Sequence, residues 1–162
     1  MKAGIFVDAD NVMRNGGWGM RYDVLKDIIA RDVGCSVVRA NAYMAFDRKR
    51  EGEDESYRQR KENYPAQLRR CGFKIVLKEV RRYLNEDGEV VTKANSDMDL
   101  AVDVLLQARN LDYIVLLTGD GDFVRLVNAI QSAGSRVDVI SFHNTSRALR
   151  EAADYHCYGF LI

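Results

Sequence analysis

The sequence predicts an α/β fold with a mostly parallel central sheet, and three observations carry that expectation. Short apolar runs of β-forming residues alternate with segments whose apolar residues recur at helical spacing. Strands separated by helices pair in parallel through right-handed crossovers. The acids, finally, fall where strands should end: Asp8 closes Ile5-Phe6-Val7, and Asp120 follows Tyr113–Gly119 with Asp122 two residues on.

Taken in order, Ala3–Asp8 suits a central strand, and the glycine-rich Asn15-Gly16-Gly17-Trp18-Gly19 reads as a loop. Val24, Leu25, Ile28 and Ile29 predict a helix from about Tyr22 to Asp32, and Ser36–Phe46 a second strand. Asp54–Arg70 is helical in composition, but Pro65 must start a new stretch or kink the old one. Gly72 fits a helix stop, and Phe73–Leu77 is the third strand. Asn85-Glu86-Asp87-Gly88 is a turn between Val80–Leu84 and Glu89–Thr92, a hairpin or flap outside the main sheet. Ser96 or Asp97 caps a helix to about Arg109 that is apolar on most faces and therefore expected to be well buried. Strand Tyr113–Thr118, helix Asp122–Ala133, strand Arg136–Phe142, helix Ser146–Ala153 and a short strand Cys157–Ile162 complete the pattern.

Bulk properties narrow the class. A chain of 162 residues, 47% hydrophobic and 30% charged, suits one soluble domain with a proper core. No stretch approaches the roughly 18–20 apolar residues that span a bilayer, and Met-Lys-Ala leads directly into a strand, not a signal peptide. Cys35, Cys71 and Cys157 are odd in number, widely spaced and outside any C-x-x-C pair, which predicts free thiols in the cytoplasm and no zinc. Net charge is zero but unevenly spread. Arg48–Arg82 holds 12 Lys or Arg against 6 Asp or Glu, and the remainder 12 against 18. A basic stretch beside an acidic pocket suits an enzyme acting on a polyanion; a solvated helix face rich in ion pairs reads equally well.

In an open α/β sheet, ligands bind at the carboxyl ends of the strands. Carboxylates gathered there stay ionised only if a cation sits between them. Asp8, Asp97, Asp120 and Asp122 therefore propose a Mg²⁺ or Mn²⁺ site, since these ions take oxygen ligands and keep several waters. One ion, or two about 3.5–4 Å apart, would activate water for in-line attack on a phosphodiester. Asp97 sits at a helix mouth, where the dipole favours a carboxylate. Asp99 is an alternate or supporting ligand, and Asp103, deeper in, suits a structural hydrogen bond. Asp10 should point away from Asp8 if the strand continues, while Asn11 can return to the pocket.

Other chemistries are poorly supplied. His143 and His156 lack metal-spaced partners, and there is no G-x-S-x-G elbow or G-x-x-x-x-G-K-[ST] loop. Gly17-Trp18-Gly19 begins a dinucleotide fingerprint, but Tyr22 stands where its third glycine belongs.

Phe6-Val7-Asp8-Ala9-Asp10-Asn11, Lys93-Ala94-Asn95-Ser96-Asp97-Met98-Asp99 and Leu117-Thr118-Gly119-Asp120-Gly121-Asp122-Phe123 resemble NYN domains. The resemblance is closest to the LabA-like branch of the PIN-like nuclease superfamily, and Ser146–Asp154 extends it over nearly the whole chain. Ala94 replaces a frequent glycine and Thr118 a common serine, leaving every acid in place. The resemblance implies a Rossmann-like, PIN-like three-layer sandwich of strand order 3-2-1-4-5. It also implies a Mg²⁺ or Mn²⁺ site at Asp8, Asp97, Asp120 and Asp122, with RNA as substrate. Arg14, Lys93, Arg48, Lys49 and Arg50 are placed to engage phosphates, Asn11 and Thr118 to contact substrate, and Trp18 to stack a base of single-stranded RNA or to anchor its loop.

Three functions compete: a metal-dependent endoribonuclease, a non-catalytic RNA-binding or regulatory protein of the same fold, and an aspartyl-phosphate phosphatase using Asp8-Ala9-Asp10. Against the last, Thr118 abuts Gly119-Asp120 and no separate Lys motif stands ahead of the acids. The apolar tail ending at Ile162 would suit burial in a homodimer.

Overall fold

A computed structural model describes residues 1–93 and 95–162, and Lys93 by its backbone alone. The first half runs β1 (Lys2–Asp8), α1 (Ala9–Arg14), α2 (Tyr22–Ile28), β2 (Ser36–Phe46), α3 (Arg48–Glu53), α4 (Glu55–Arg70) and β3 (Lys74–Glu79). Then come β4 (Arg81–Leu84), β5 (Val90–Lys93), α5 (Asp97–Gln107), β6 (Tyr113–Leu117), α6 (Val124–Ser132), β7 (Arg136–Ser141), α7 (Arg147–Ala152) and β8 (Tyr155–Tyr158). Six strands form one parallel sheet of order β3-β2-β1-β6-β7-β8, the expected arrangement with one further edge strand. β4 and β5 pair antiparallel in a separate hairpin, as the Asn85–Gly88 turn predicts. Asn85 Oδ1 accepts from the amides of Asp87 at 3.0 Å and Glu89 at 2.9 Å, and Gly88 supplies the left-handed φ of 76°.

Alternation along β1 divides the core. Ile5 and Val7 face Val12, Leu25, Tyr64 and Leu68 of α1, α2 and α4. Phe6 faces Leu100, Val104, Val127 and Leu149 of α5, α6 and α7. Helices thus cover both faces, and the sheet needs no solvent-facing side. β1 lies between β2 and β6, so the chain winds outward in opposite directions from their boundary. The carboxyl ends of β1 and β6 flank this reversal point, where the backbones diverge and leave a crevice. Val7 pairs with Leu117 there, which brings Asp8 beside Thr118.

Several expectations need correction. After Asp8 the chain turns directly into α1, because the Asp8 side chain accepts the Asn11 amide and caps the helix. Of the two readings of Pro65, the one in which it starts a new stretch is excluded: α4 continues through it, with the proline buried. α3 was not expected; Asp47 caps it by accepting the Arg50 amide at 3.2 Å. The last strand is Tyr155–Tyr158, after which the chain turns over Phe142. A Cβ on Gly159 would lie 2.3 Å from that ring. Ile162 packs half-buried against this chain's own core, while Phe160 and Leu161 of the same tail stay exposed. Finally, α5 buries only Leu100 and Val104 well; Met98 and Leu106 are each 69% exposed. Among the described residues, no helix is long and apolar enough to cross a membrane.

Candidate metal centre

Thr118 holds the two strand ends together. Its Oγ1 donates to Asp8 Oδ2 at 2.9 Å and accepts the Asp120 amide at 3.1 Å. Asn11 adds a second brace, accepting the Gly119 amide on Oδ1 at 2.9 Å. Asp120 Oδ1 in turn accepts the Asp122 amide at 2.9 Å, which fixes the turn into α6. Gly119 lets the turn run close to the next loop: a Cβ there would stand 3.2 Å from the Thr145 backbone, tighter than ordinary contact. Asp97 opens α5 from the opposite side, its amide held by Asn95 Oδ1 at 2.8 Å.

These elements bring Asp8, Asp97 and Asp120 together, with one carboxylate oxygen of each within 4.8 Å of the others. Such proximity is costly without a cation. Burial pushes the Asp8 carboxyl up to about 7; the Asp97 charge adds to this, and hydrogen bonds from Thr118 and Asn11 oppose it. Asp97 is raised to about 6, first by burial, then by the Asp120 charge and a shared hydrogen bond, then by Asp122, with Arg14 opposing. Three convergent oxygens, one on a carboxyl that resists ionising alone, fit a hard divalent cation. The absence of nitrogen or sulfur donors in the cluster favours Mg²⁺ or Mn²⁺ over zinc.

Asp122 lines the same cavity but lies outside the group of three. Asp99 is drawn instead to Lys78, with Nζ 3.2 Å from Oδ2, because two steps along a helix rotate a side chain by about 200°. Asp103 accepts from the Tyr43 hydroxyl at 2.8 Å, the structural bond its depth suggested. Asp10 was expected to point away, yet α1 carries it to the wall of the same cavity. There it accepts from Lys61 Nζ at 2.9 Å and the Ala45 amide at 2.6 Å.

The cavity is a groove of about 610 Å³ whose far wall is cationic and aromatic: Arg14, Trp18, Arg50, Tyr57, Arg60 and Lys61. Arg50 stacks on Tyr57 with its guanidinium carbon 4.2 Å from the ring centre. Trp18 meets the buried Tyr64 edge-on at 5.5 Å and leaves 44% of its surface exposed. Arg48 pairs with Glu79 at 3.5 Å, and neither it nor Lys49 reaches the groove. The side chain of Lys93, expected near the phosphate path, and all of Ala94 lie outside the described residues. Tyr57, Arg60, Lys61 and Tyr64 were missed, although their spacing of three, four and seven already marks one face of a helix. A second, polar groove lined by Asn11, Asn15, Gly119, Asn144 and Thr145 adjoins the first at Arg14 and Asp120. His156 bonds Ser141 at 2.6 Å, and neither histidine lines either groove.

The sequence and the fold are shared with known proteins. The NYN domain model matches residues 2–160, so the chain belongs to the NYN domain family. Within it, the LabA-like branch is supported by similarity to "Low amplitude and bright protein LabA" from Synechococcus elongatus, 24% identical over 156 residues, covering 93% of this chain and 79% of that one. A solved structure of VPA0982 from Vibrio parahaemolyticus, a protein of unknown function, matches with a TM-score of 0.73 and 27% identity, covering 97% of this chain and 91% of that one.

Proposed function

We propose that this protein is a Mg²⁺- or Mn²⁺-dependent endoribonuclease acting on single-stranded RNA as a single cytoplasmic domain. The observation that carries this reading is the convergence of Asp8, Asp97 and Asp120 at the wall of a groove otherwise lined by arginine, lysine and aromatic side chains. Asp8, Asp97 and Asp120 would hold the ion, with Asp122 near enough to orient a coordinated water. When bound, the ion lowers the pKa of water and offsets charge developing on the phosphate. The chain supplies the rest. Arg14 and Arg60 are exposed, have no ion-pair partner among the described residues, and provide phosphate contacts. Trp18 presents a face on which an unpaired base can stack. The second groove, continuing beyond Asp120, gives the strand an exit, which suits cleavage within a chain.

Asp10 weighs against the phosphatase reading. Its carboxylate is committed to Lys61 and the Ala45 amide, so it is poorly placed to act as the acid beside an Asp8 nucleophile.

The test is cleavage of end-labelled single-stranded RNA by purified protein with Mn²⁺ or Mg²⁺, compared with DNA and duplex RNA. Internal cuts that vanish with chelator and in Asp120→Asn support the proposal. Metal-independent cutting, or cutting unchanged in Asp120→Asn, refutes it, and RNA binding without cleavage would favour the regulatory alternative.

A further inference from the structure

α5 is apolar on two opposite sides. At about 100° per residue, Met98, Val102, Leu105 and Leu106 fall within an arc of about 100°, centred opposite the buried Leu100 and Val104. All four are exposed, and Val38 of β2, beside Leu106 in a neighbouring cleft, is exposed as well. Contiguous apolar surface of this kind marks an interaction site.

The charges on the helix identify the occupant. Asp97, Asp99 and Asp103 crowd its first half, no Lys or Arg follows until Arg109, and Arg109 is exposed without an ion pair among the described residues. Two such helices side by side in parallel would set acids against acids and arginine against arginine. Asp97 faces the crevice and Asp103 is bonded to Tyr43, so Asp99, its side chain 42% exposed beside Lys78, is the acid that borders the outer face. Antiparallel, each Arg109 comes to the Asp99 end of the other copy, and the helix dipoles oppose favourably. We infer that the outer face of α5 packs against the same face of a second copy of this chain, antiparallel across a two-fold axis. Asp97 lies at the core-facing edge of the helix, so both acidic crevices stay open. The inference is independent of the proposed reaction.

Sedimentation velocity on the whole chain from low to high micromolar concentration tests it. A dimer is expected that weakens with added salt. Leu106→Glu, or Leu105→Lys should the first not fold, is expected to weaken association by at least about tenfold without lowering the melting temperature. Arg109→Glu should weaken it several-fold. A wild type that stays monomeric at high concentration, alone or bound to some other protein, overturns the inference. So does a dimer indifferent to the Leu106 or Leu105 substitution, or one strengthened by Arg109→Glu.

Discussion

Thr118 Oγ1 donates to Asp8 Oδ2 at 2.9 Å while accepting the Asp120 amide, so one hydroxyl sets the spacing of two acids that are 112 residues apart. Replacing it with valine leaves the half-buried Asp120 amide without its acceptor and the buried Asp8 carboxylate without its donor. Thr118→Val should lower stability by about 1–3 kcal/mol and weaken Mn²⁺ binding about tenfold. Thr118→Ser should keep both. Denaturant melts and calorimetric Mn²⁺ titration of the two variants check this; an unaffected Val variant would remove the hydroxyl from the account.

The raised carboxyl of Asp8 makes the metal-free protein respond to pH in an unusual direction. Its ordinary value is 3.8 and its folded value about 7, so between these the folded state holds a proton that the unfolded state has released. Stability is therefore greatest at the acidic end, falls as pH rises toward 7, and levels off above. The loss is roughly 4 kcal/mol if Asp8 acts alone. Asp97 adds to it in the same sense, with its smaller rise to about 6. Asp8→Asn should flatten this dependence, and the stabilisation produced by Mn²⁺ should grow with pH as the ligands ionise. Thermal melts at stepped pH, with and without the ion, show the sign; a metal-free protein that gains stability from pH 5 to 8 contradicts it.

Lys61 is read as an anchor for Asp10, because its ammonium also donates to the Ala45 carbonyl at 2.8 Å and its side chain is only 14% exposed. Lys61→Met should cost about 1–3 kcal/mol by leaving Asp10 unpaired, and adding Asp10→Asn should recover part of that. A double-mutant cycle measures the coupling. Additive costs would show the pair to be incidental.

Arg14 and Arg60 should behave differently. Alanine at either is expected to leave the melting temperature within about 1 °C and to reduce the salt slope of RNA binding by about one. Fluorescence anisotropy with Asp120→Asn protein, which binds without cutting, isolates this effect. An unchanged slope in both variants would move the phosphate path elsewhere.

Much of this molecule was legible before its fold was known. Apolar runs ending in acids located β1 and β6, their alternation with helices predicted parallel pairing, and the resemblance to NYN domains implied the strand order that makes the crevice. The convergence of Asp8, Asp97 and Asp120 followed from that topology. What stayed hidden depended on side-chain reach. Asp99 looked like a ligand until a lysine on β3 claimed it, and no spacing rule reveals a partner 21 residues away. Trp18 was visible as an aromatic in a flexible-looking loop, but its lean on Tyr64 joins segments 46 residues apart. α5 was misjudged for a different reason. Its composition shows how much apolar surface the helix carries and says nothing of how much the chain itself can cover.

The most direct measurement is anomalous diffraction at the manganese edge from crystals grown or soaked with Mn²⁺. The account predicts a peak within coordination distance of oxygens from Asp8, Asp97 and Asp120, and its loss in Asp8→Asn. A peak placed elsewhere, or none among these three side chains, would contradict it.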